Sequence, residues 1–187
     1  MKGGIDLDNN IDLVKKAING NVKAFEKLVK KESEKLYKTA FLYVRNKEDA
    51  LDVLQETIYK AFVSIEQVKQ PEFFNSWLTK ILIRTAYDFL RKKKRVVLDD
   101  TLLNNYKTES RLDIEGKIDL VNAITKLNQD YQTVIILFYY HDLPIRCIGE
   151  TLEMSENTVK TNLRRAKIEL KKILGGMNEY EQTASQK

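Results

Sequence analysis

The chain is short of the side chains that most chemistry uses. It carries one histidine, His141, and one cysteine, Cys147. That is too few for a zinc site of the usual kind, which needs three or four such ligands. A lone cysteine makes no internal disulfide, so a reducing compartment is the simpler home. No glycine-rich phosphate loop is present. With 7 glycines and 2 prolines, irregular segments should be short. The longest apolar runs, such as residues 134–140, are far too short to cross a bilayer, and residues 1–10 hold no apolar signal-peptide core. The carboxylates are many but sit among lysines at helical spacing, as surface or interface groups do. The expectation is a cytosolic, non-catalytic chain with no cofactor and no metal, whose link to a membrane would run through a partner.

What remains is rich in charge. Hydrophobic residues make up 43% of the chain, enough to pack cores, and charged residues 32%, a share that suits helices with solvated faces. The net charge of +5 and a pI near 9.1 favour an acidic partner such as nucleic acid.

The periodicity predicts an all-α fold. Phe25, Leu28, Val29, Leu36, Tyr37, Ala40, Phe41 and Val44 recur at three- and four-residue steps. Asn46 should cap the next helix, with Glu48 and Asp49 in its first turn, where the helix dipole favours anions. That helix should bury Ala50, Val53 or Leu54, Ile58, Ala61, Phe62 and Ile65. After a turn at Gln70-Pro71, a third long helix carries Phe73, Phe74, Trp77, Leu78, Ile81, Leu82 and Phe89, and runs out into Arg91-Lys92-Lys93-Lys94-Arg95. Periodicity is then lost, and Asp99, Asp100, Glu109, Asp113 and Glu115 outnumber Lys107 and Arg111. This reads as a flexible acidic linker. The expected domains are residues 10–96 and 116–175, with a linker over 97–115 and a mobile tail over 176–187.

In the second domain, Ile118, Val121, Ile124 and Leu127 share one helical face, and Asn128 can cap a helix carrying Tyr131, Val134, Ile135 and Phe138. Pro144 fits the first turn of another, and Ser155 should cap a last helix that Gly175-Gly176 stops. Residues 145–167 form the most informative stretch. Ile148, Leu152, Met154, Val159 and Leu163 would hold two helices together, with Gly149 small where they approach. The second helix then projects its N-terminal half outward, as a recognition helix does. Asn157, Thr158 and Thr161 can meet base edges or a thymine methyl. Lys160, Arg164, Arg165 and Lys167 can neutralise phosphates. The plainer alternative is a helical hairpin with a basic solvated face. Cys147 reads as a packing residue and His141 as a loop support.

Residues 73–95 mix aromatics with Arg84 and the basic run 91–95, a surface that suits single-stranded nucleic acid. Trp77, on the apolar face, reads as core rather than as a stacking platform. The loop over residues 66–72 is a candidate base-capturing pocket, which would work best on a strand already melting. Alone, the charge run could equally be a solvated face.

These pieces in this order resemble the extracytoplasmic-function (ECF) group of sigma factors. The resemblance is carried by Asp49-Ala50-Leu51-Asp52-Val53-Leu54-Gln55-Glu56, Ser76-Trp77-Leu78, Asp88-Phe89-Leu90-Arg91, Thr158-Val159-Lys160-Thr161 and Arg165-Ala166-Lys167, and it spans about residues 10–174. The segment 84–91 is similar to the sigma-V type of low-GC Gram-positive bacteria, a subgroup linked to envelope stress. The resemblance implies that Asp49, Asp52, Gln55 and Glu56 dock on core RNA polymerase, with Leu51 and Leu54 beside them. It places Gln67, Lys69, Gln70, Arg84, Asp88, Arg91, Lys92 and Lys93 on the minus-ten promoter element, double-stranded and then melted. Asn157, Thr158, Lys160, Thr161, Arg164 and Arg165 fall on the minus-thirty-five element, and the acidic linker toward the RNA path. It also implies an anti-sigma factor, often membrane-bound. The sequence departs from the pattern at Arg84 (often asparagine), Pro144 (serine), Asn157 (glycine) and Asn162 (arginine). Two other classes stay open: a helix-turn-helix regulator, which leaves the first domain unexplained, and a helical nuclease, which lacks a visible metal-binding carboxylate cluster.

Overall fold

The computed structural model describes the backbone of residues 4–100 and 117–184, and the side chains of residues 10–95 and 120–175. Every regular element among them is helical. The chain divides into two compact units, Met1–Thr108 and Glu109–Lys187.

The first unit holds α1 (Gly4–Ile18), α2 (Val22–Val44), α3 (Lys47–Ser64) and α4 (Phe74–Asp100). The sequence reading did not anticipate α1, yet Val14 and Ala17 of this helix are fully buried against α2. Asn21 and Asn46 cap α2 and α3, their side-chain oxygens accepting the N–H groups of Ala24 and Asp49 at 3.0 Å. The core is built from Leu28, Leu36, Ala40, Ala50, Val53, Ala61, Phe74, Leu78, Leu82 and Ala86. Threonines are buried among these groups because each spends its hydroxyl inside its own helix: Thr39, Thr57 and Thr79 donate to the carbonyls of Lys35, Val53 and Asn75 at 2.6–2.8 Å.

For α3 the sequence left Val53 and Leu54 as alternatives and expected Phe62 inside. Leu54 joins Val53 inside, because α3 packs against both α2 and α4 and so buries a wide face. Phe62 is 45% exposed, although its ring meets that of Phe25 edge-on at 5.3 Å between centroids.

The second unit holds α5 (Lys117–Lys126), α6 (Gln129–Ile135), α7 (Ile145–Leu152) and α8 (Glu156–Ala184). Asn128 caps α6 through the Tyr131 N–H at 3.0 Å. Residues Ile136–Tyr140 continue α6 as one widened turn, closed by the His141 N–H on the Ile136 carbonyl at 3.1 Å. The core gathers Ala123, Leu127, Val134, Ile135, Ile136, Leu137, Ile148, Val159, Leu163 and Ala166. Contrary to expectation, α8 runs through Gly175 and Gly176 to Ala184. Glycine lowers helix propensity by about 1 kcal/mol, but it stops a helix only by turning left-handed, and Gly175 keeps a negative φ. Helix α4 likewise continues to Asp100, into the linker expected over 97–115; the rest of that linker and the last residues of the expected tail lie outside the described residues.

Candidate nucleic-acid interface

In the second unit the turn between α7 and α8 is three residues long. Glu153 closes α7 in the left-handed region (φ 58°, ψ 39°), and the Met154 N–H returns to the Gly149 carbonyl at 2.9 Å. This return brings backbone onto Gly149, where an added Cβ would stand 2.8 Å from the Met154 carbonyl oxygen. Only glycine fits without a shift of main chain. Gly149→Ala is therefore expected to destabilise this unit by about 1–3 kcal/mol, as overpacking does, and to lower its urea midpoint with helix content unchanged before the transition.

Ser155 begins α8 by accepting the Thr158 N–H at 3.1 Å, and its hydroxyl also meets the Thr158 hydroxyl at 2.8 Å. Thr158 thus turns its hydroxyl toward the cap. Asn157 is exposed, and Thr161 half-exposed, on the same N-terminal turns. Val159, Leu163 and Ala166 point inward, leaving Lys160, Arg164, Arg165 and Lys167 outside. Lys160 lies 4.0 Å from Glu156. Asn162 is turned away, its amide 3.9 Å from the Met154 sulfur. The recognition set expected from sequence is thus gathered on one helix. Leu152 and Met154 are half-buried rather than core, and Cys147 is half-buried on α7.

Arg146 was missed by sequence reasoning. It sits in the first turn of α7, 80% exposed, bonded to Glu150 at 3.0 Å. The hydrogen bond and charge of Glu150 raise the guanidinium above its ordinary range. In a helix-turn-helix the first helix crosses the DNA backbone, so an exposed cation there is a phosphate candidate. Its place at the start of the supporting helix was the available signal.

In the first unit, two surfaces are separate. On α3, Leu51, Asp52, Gln55, Glu56 and Tyr59 are exposed, a carboxylate stripe edged by Leu51 at 48% and Tyr59 at 65%. Glu56 lies 3.3 Å from Lys60. Between α3 and α4, Val68 is buried and pins the connection, so Gln67, Lys69 and Gln70 face outward around it. Phe73 is 43% exposed, while Trp77 is half-buried with its ring 5.9 Å from that of Phe74. Along α4, Arg84, Asp88 and Arg91 fall on one face at i, i+4 and i+7, and Arg91 holds Asp88 at 2.9 Å. Lys92 is exposed at the edge of this face.

Lys93 is not with them. It lies half a turn away from Arg84, on the side that buries Leu82 and Ala86, and pairs with Asp49 of α3. Asp49 and Lys93, assigned from sequence to different partners, engage each other. Nothing in one sequence signals a pair 44 residues apart.

The family description for sigma-70 region 2 matches residues 28–96, and that for sigma-70 region 4 matches residues 117–170. The RNA polymerase sigma factor SigV of Bacillus subtilis (strain 168) is 45% identical over 70% of this chain and 78% of that protein. The ECF RNA polymerase sigma factor SigW of the same organism is 28% identical over 86% of this chain and 94% of that protein. Two solved structures share the fold. CnrH, in complex with the cytosolic domain of CnrY, is 21% identical with a TM-score of 0.68, over 89% of this chain and 97% of that one. RpoE of Bartonella quintana, in complex with the anti-sigma factor NepR, is 22% identical with a TM-score of 0.71, over 82% and 98%.

Two helical units, the second a helix-turn-helix with a cationic outer face, define a DNA-binding subunit of transcription initiation. The chain belongs to the sigma-70 family of RNA polymerase sigma factors, among its extracytoplasmic-function members. It is an alternative sigma factor, and its task is promoter recognition. No helix among the described residues is long and apolar enough to cross a membrane.

Proposed function

We propose that the chain acts without catalytic chemistry of its own, in the cytoplasm, by joining core RNA polymerase and presenting two DNA-reading surfaces. The observation that carries this reading is the presence, in order on one chain, of regions 2 and 4. Asp52, Gln55 and Glu56 dock the polymerase. Gln67, Lys69, Gln70, Arg84, Asp88, Arg91 and Lys92 engage the minus-ten element. Asn157, Thr158, Lys160, Thr161, Arg164 and Arg165 engage the minus-thirty-five element. The domain limits, residues 10–96 and 116–175, follow the same division of labour. An anti-sigma factor, often membrane-bound as the family resemblance implies, holds the chain inactive; RpoE was solved with the anti-sigma factor NepR, and CnrH with the cytosolic domain of CnrY. A role in an envelope-stress response completes this reading, and it rests on the resemblance of residues 84–91 to the sigma-V type.

The test is reconstitution. The purified chain is mixed with core polymerase of Bacillus subtilis and fragmented genomic DNA, and transcript starts are sequenced. The expected result is stable co-migration with core and starts that share two spaced elements. Sequence-specific duplex binding with no affinity for core would mark a helix-turn-helix regulator instead. Metal-dependent cleavage of the DNA would mark a nuclease.

A further inference from the structure

We infer that Lys93 is a positioning residue for the minus-ten surface rather than a contact to DNA, and that Asp49 is the group it works against. The inference rests on the assignment of α4 to the minus-ten element. Its ground is placement. Arg84, Asp88 and Arg91 share one face of α4, and Lys93 stands about 180° around the helix from Arg84 at the α-helical pitch of about 100° per residue. Its ammonium meets the Asp49 carboxylate at 2.5 Å and lies 6.0 Å from the centre of the Phe89 ring. Asp49 is only 17% exposed and Lys93 48%. Asp49 is also fixed at its backbone, because its N–H is the one that the Asn46 cap receives at 3.0 Å, and its charge sits in the first turn of α3, where the helix dipole favours it.

The pair therefore joins a rigid, capped helix start to the distal part of α4. That part has lost its apolar anchors: Ala86 is the last fully buried residue along it, and residues 91–95 are all exposed. The buried residues up to Ala86 and the Tyr87 ring, 5.4 Å from that of Tyr43, anchor α4 only to this point, so the segment beyond Phe89 could bend away from α3. The ion pair fixes the azimuth of that distal segment and so keeps Arg91 on the side of Arg84, which its buried neighbours Leu82, Ile83, Thr85 and Ala86 already hold. Lys93 in this role adds nothing to the phosphate count, and Asp49 is committed inside the unit rather than offered to the polymerase.

Charge alone argues the opposite way, which makes the test sharp. Removing a carboxylate from a nucleic-acid surface ordinarily raises affinity. Here Asp49→Asn is expected to lower it. The full chain is titrated with fluorescein-labelled oligo-dT at several salt concentrations, with helix content checked by circular dichroism. Asp49→Asn and Lys93→Ala should each weaken binding by about two- to fivefold, the range a partly exposed ion pair supports. The double variant should be no weaker than either single one. The slope of log affinity against log salt should stay unchanged in all three. Arg91→Ala should instead lower that slope by about 0.7, the value for one phosphate contact on a single strand. Asp49→Glu should bind as the unaltered chain does, because it keeps the carboxylate at the start of α3.

A loss of slope in Lys93→Ala equal to that in Arg91→Ala would overturn the inference, because it would put Lys93 on the strand. Unchanged or tighter binding by Asp49→Asn would overturn it too, because the pair would then position nothing. If Arg84→Ala and Arg91→Ala leave affinity unchanged, the minus-ten assignment of α4 itself fails. That result is distinct from the failure of the positioning role.

Discussion

Reversing charge at Asp52 and Glu56 together, to lysine, is expected to weaken assembly with core polymerase by about ten- to a hundredfold. Both carboxylates are exposed on the outward face of α3, one turn apart, with Gln55 between them and Leu51 and Tyr59 at their edges. A stripe of this kind suits a basic helical partner, which would desolvate the acidic groups against its own cations. Truncating one member of such a pair costs about 2–5 kcal/mol when it is buried by the partner, and less at a rim. Two reversals that contribute about 1.4–2.7 kcal/mol in sum give the stated range. Folding should survive, because neither side chain enters the core. The one local loss is the Glu56 to Lys60 pair at 3.3 Å, whose partners are about half exposed and whose removal matters little. The measurement is a titration of labelled core polymerase with the full chain, beside duplex binding by the same variant. Polymerase affinity should fall while duplex affinity holds or rises. Unchanged polymerase affinity would remove the docking assignment.

Much of the fold was legible because helix signals are local. The caps Asn46, Asn128 and Ser155 lie where polar residues precede apolar periodicity, and each accepts the expected N–H. The helix-turn-helix was legible because Gly149 and the inward row Val159, Leu163 and Ala166 constrain each other within about twenty residues. What escaped depends on partners distant in sequence. In α1 the spacing of Leu7, Ile11, Val14 and Ile18 marks a face, but the burial of Val14 and Ala17 is decided by α2. Whether Val53 or Leu54 turns inward depends on how many helices α3 touches. The pair between Asp49 and Lys93 needed the crossing of α3 and α4. Even for the candidate site, spacing along α4 separates Lys93 from Arg84 and Arg91 once the helix is drawn, although the run of cations at 91–95 suggests a single basic patch.

On the recognition helix, substitutions should divide by what each side chain can reach. Lys160 and Arg164 are long, exposed and clear of the core contacts made by Val159 and Leu163. From a helix seated in the major groove they reach the backbone, so Lys160→Ala or Arg164→Ala should weaken binding to every sequence and reduce the salt slope by about 0.9 per lost contact. Lys160 should show the smaller loss, because Glu156 at 4.0 Å already draws part of its charge. Asn157 and Thr161 stand where base edges pass. Replacing either with alanine should leave the slope alone and relax preference at one base pair, at about 1–3 kcal/mol for the base it reads. Thr158 differs from both. Its N–H is bonded to Ser155 and its hydroxyl is held against the Ser155 hydroxyl, so its methyl is the group left most free toward a base. Thr158→Val keeps that methyl and should retain base preference while losing part of the cap, whereas Thr158→Ser should do the reverse. The check is holoenzyme binding to a panel of single-base variants of the upstream element at several salt concentrations. If all these substitutions scaled every affinity by the same factor, α8 would be a nonspecific basic surface, and its sequence-reading role would fall.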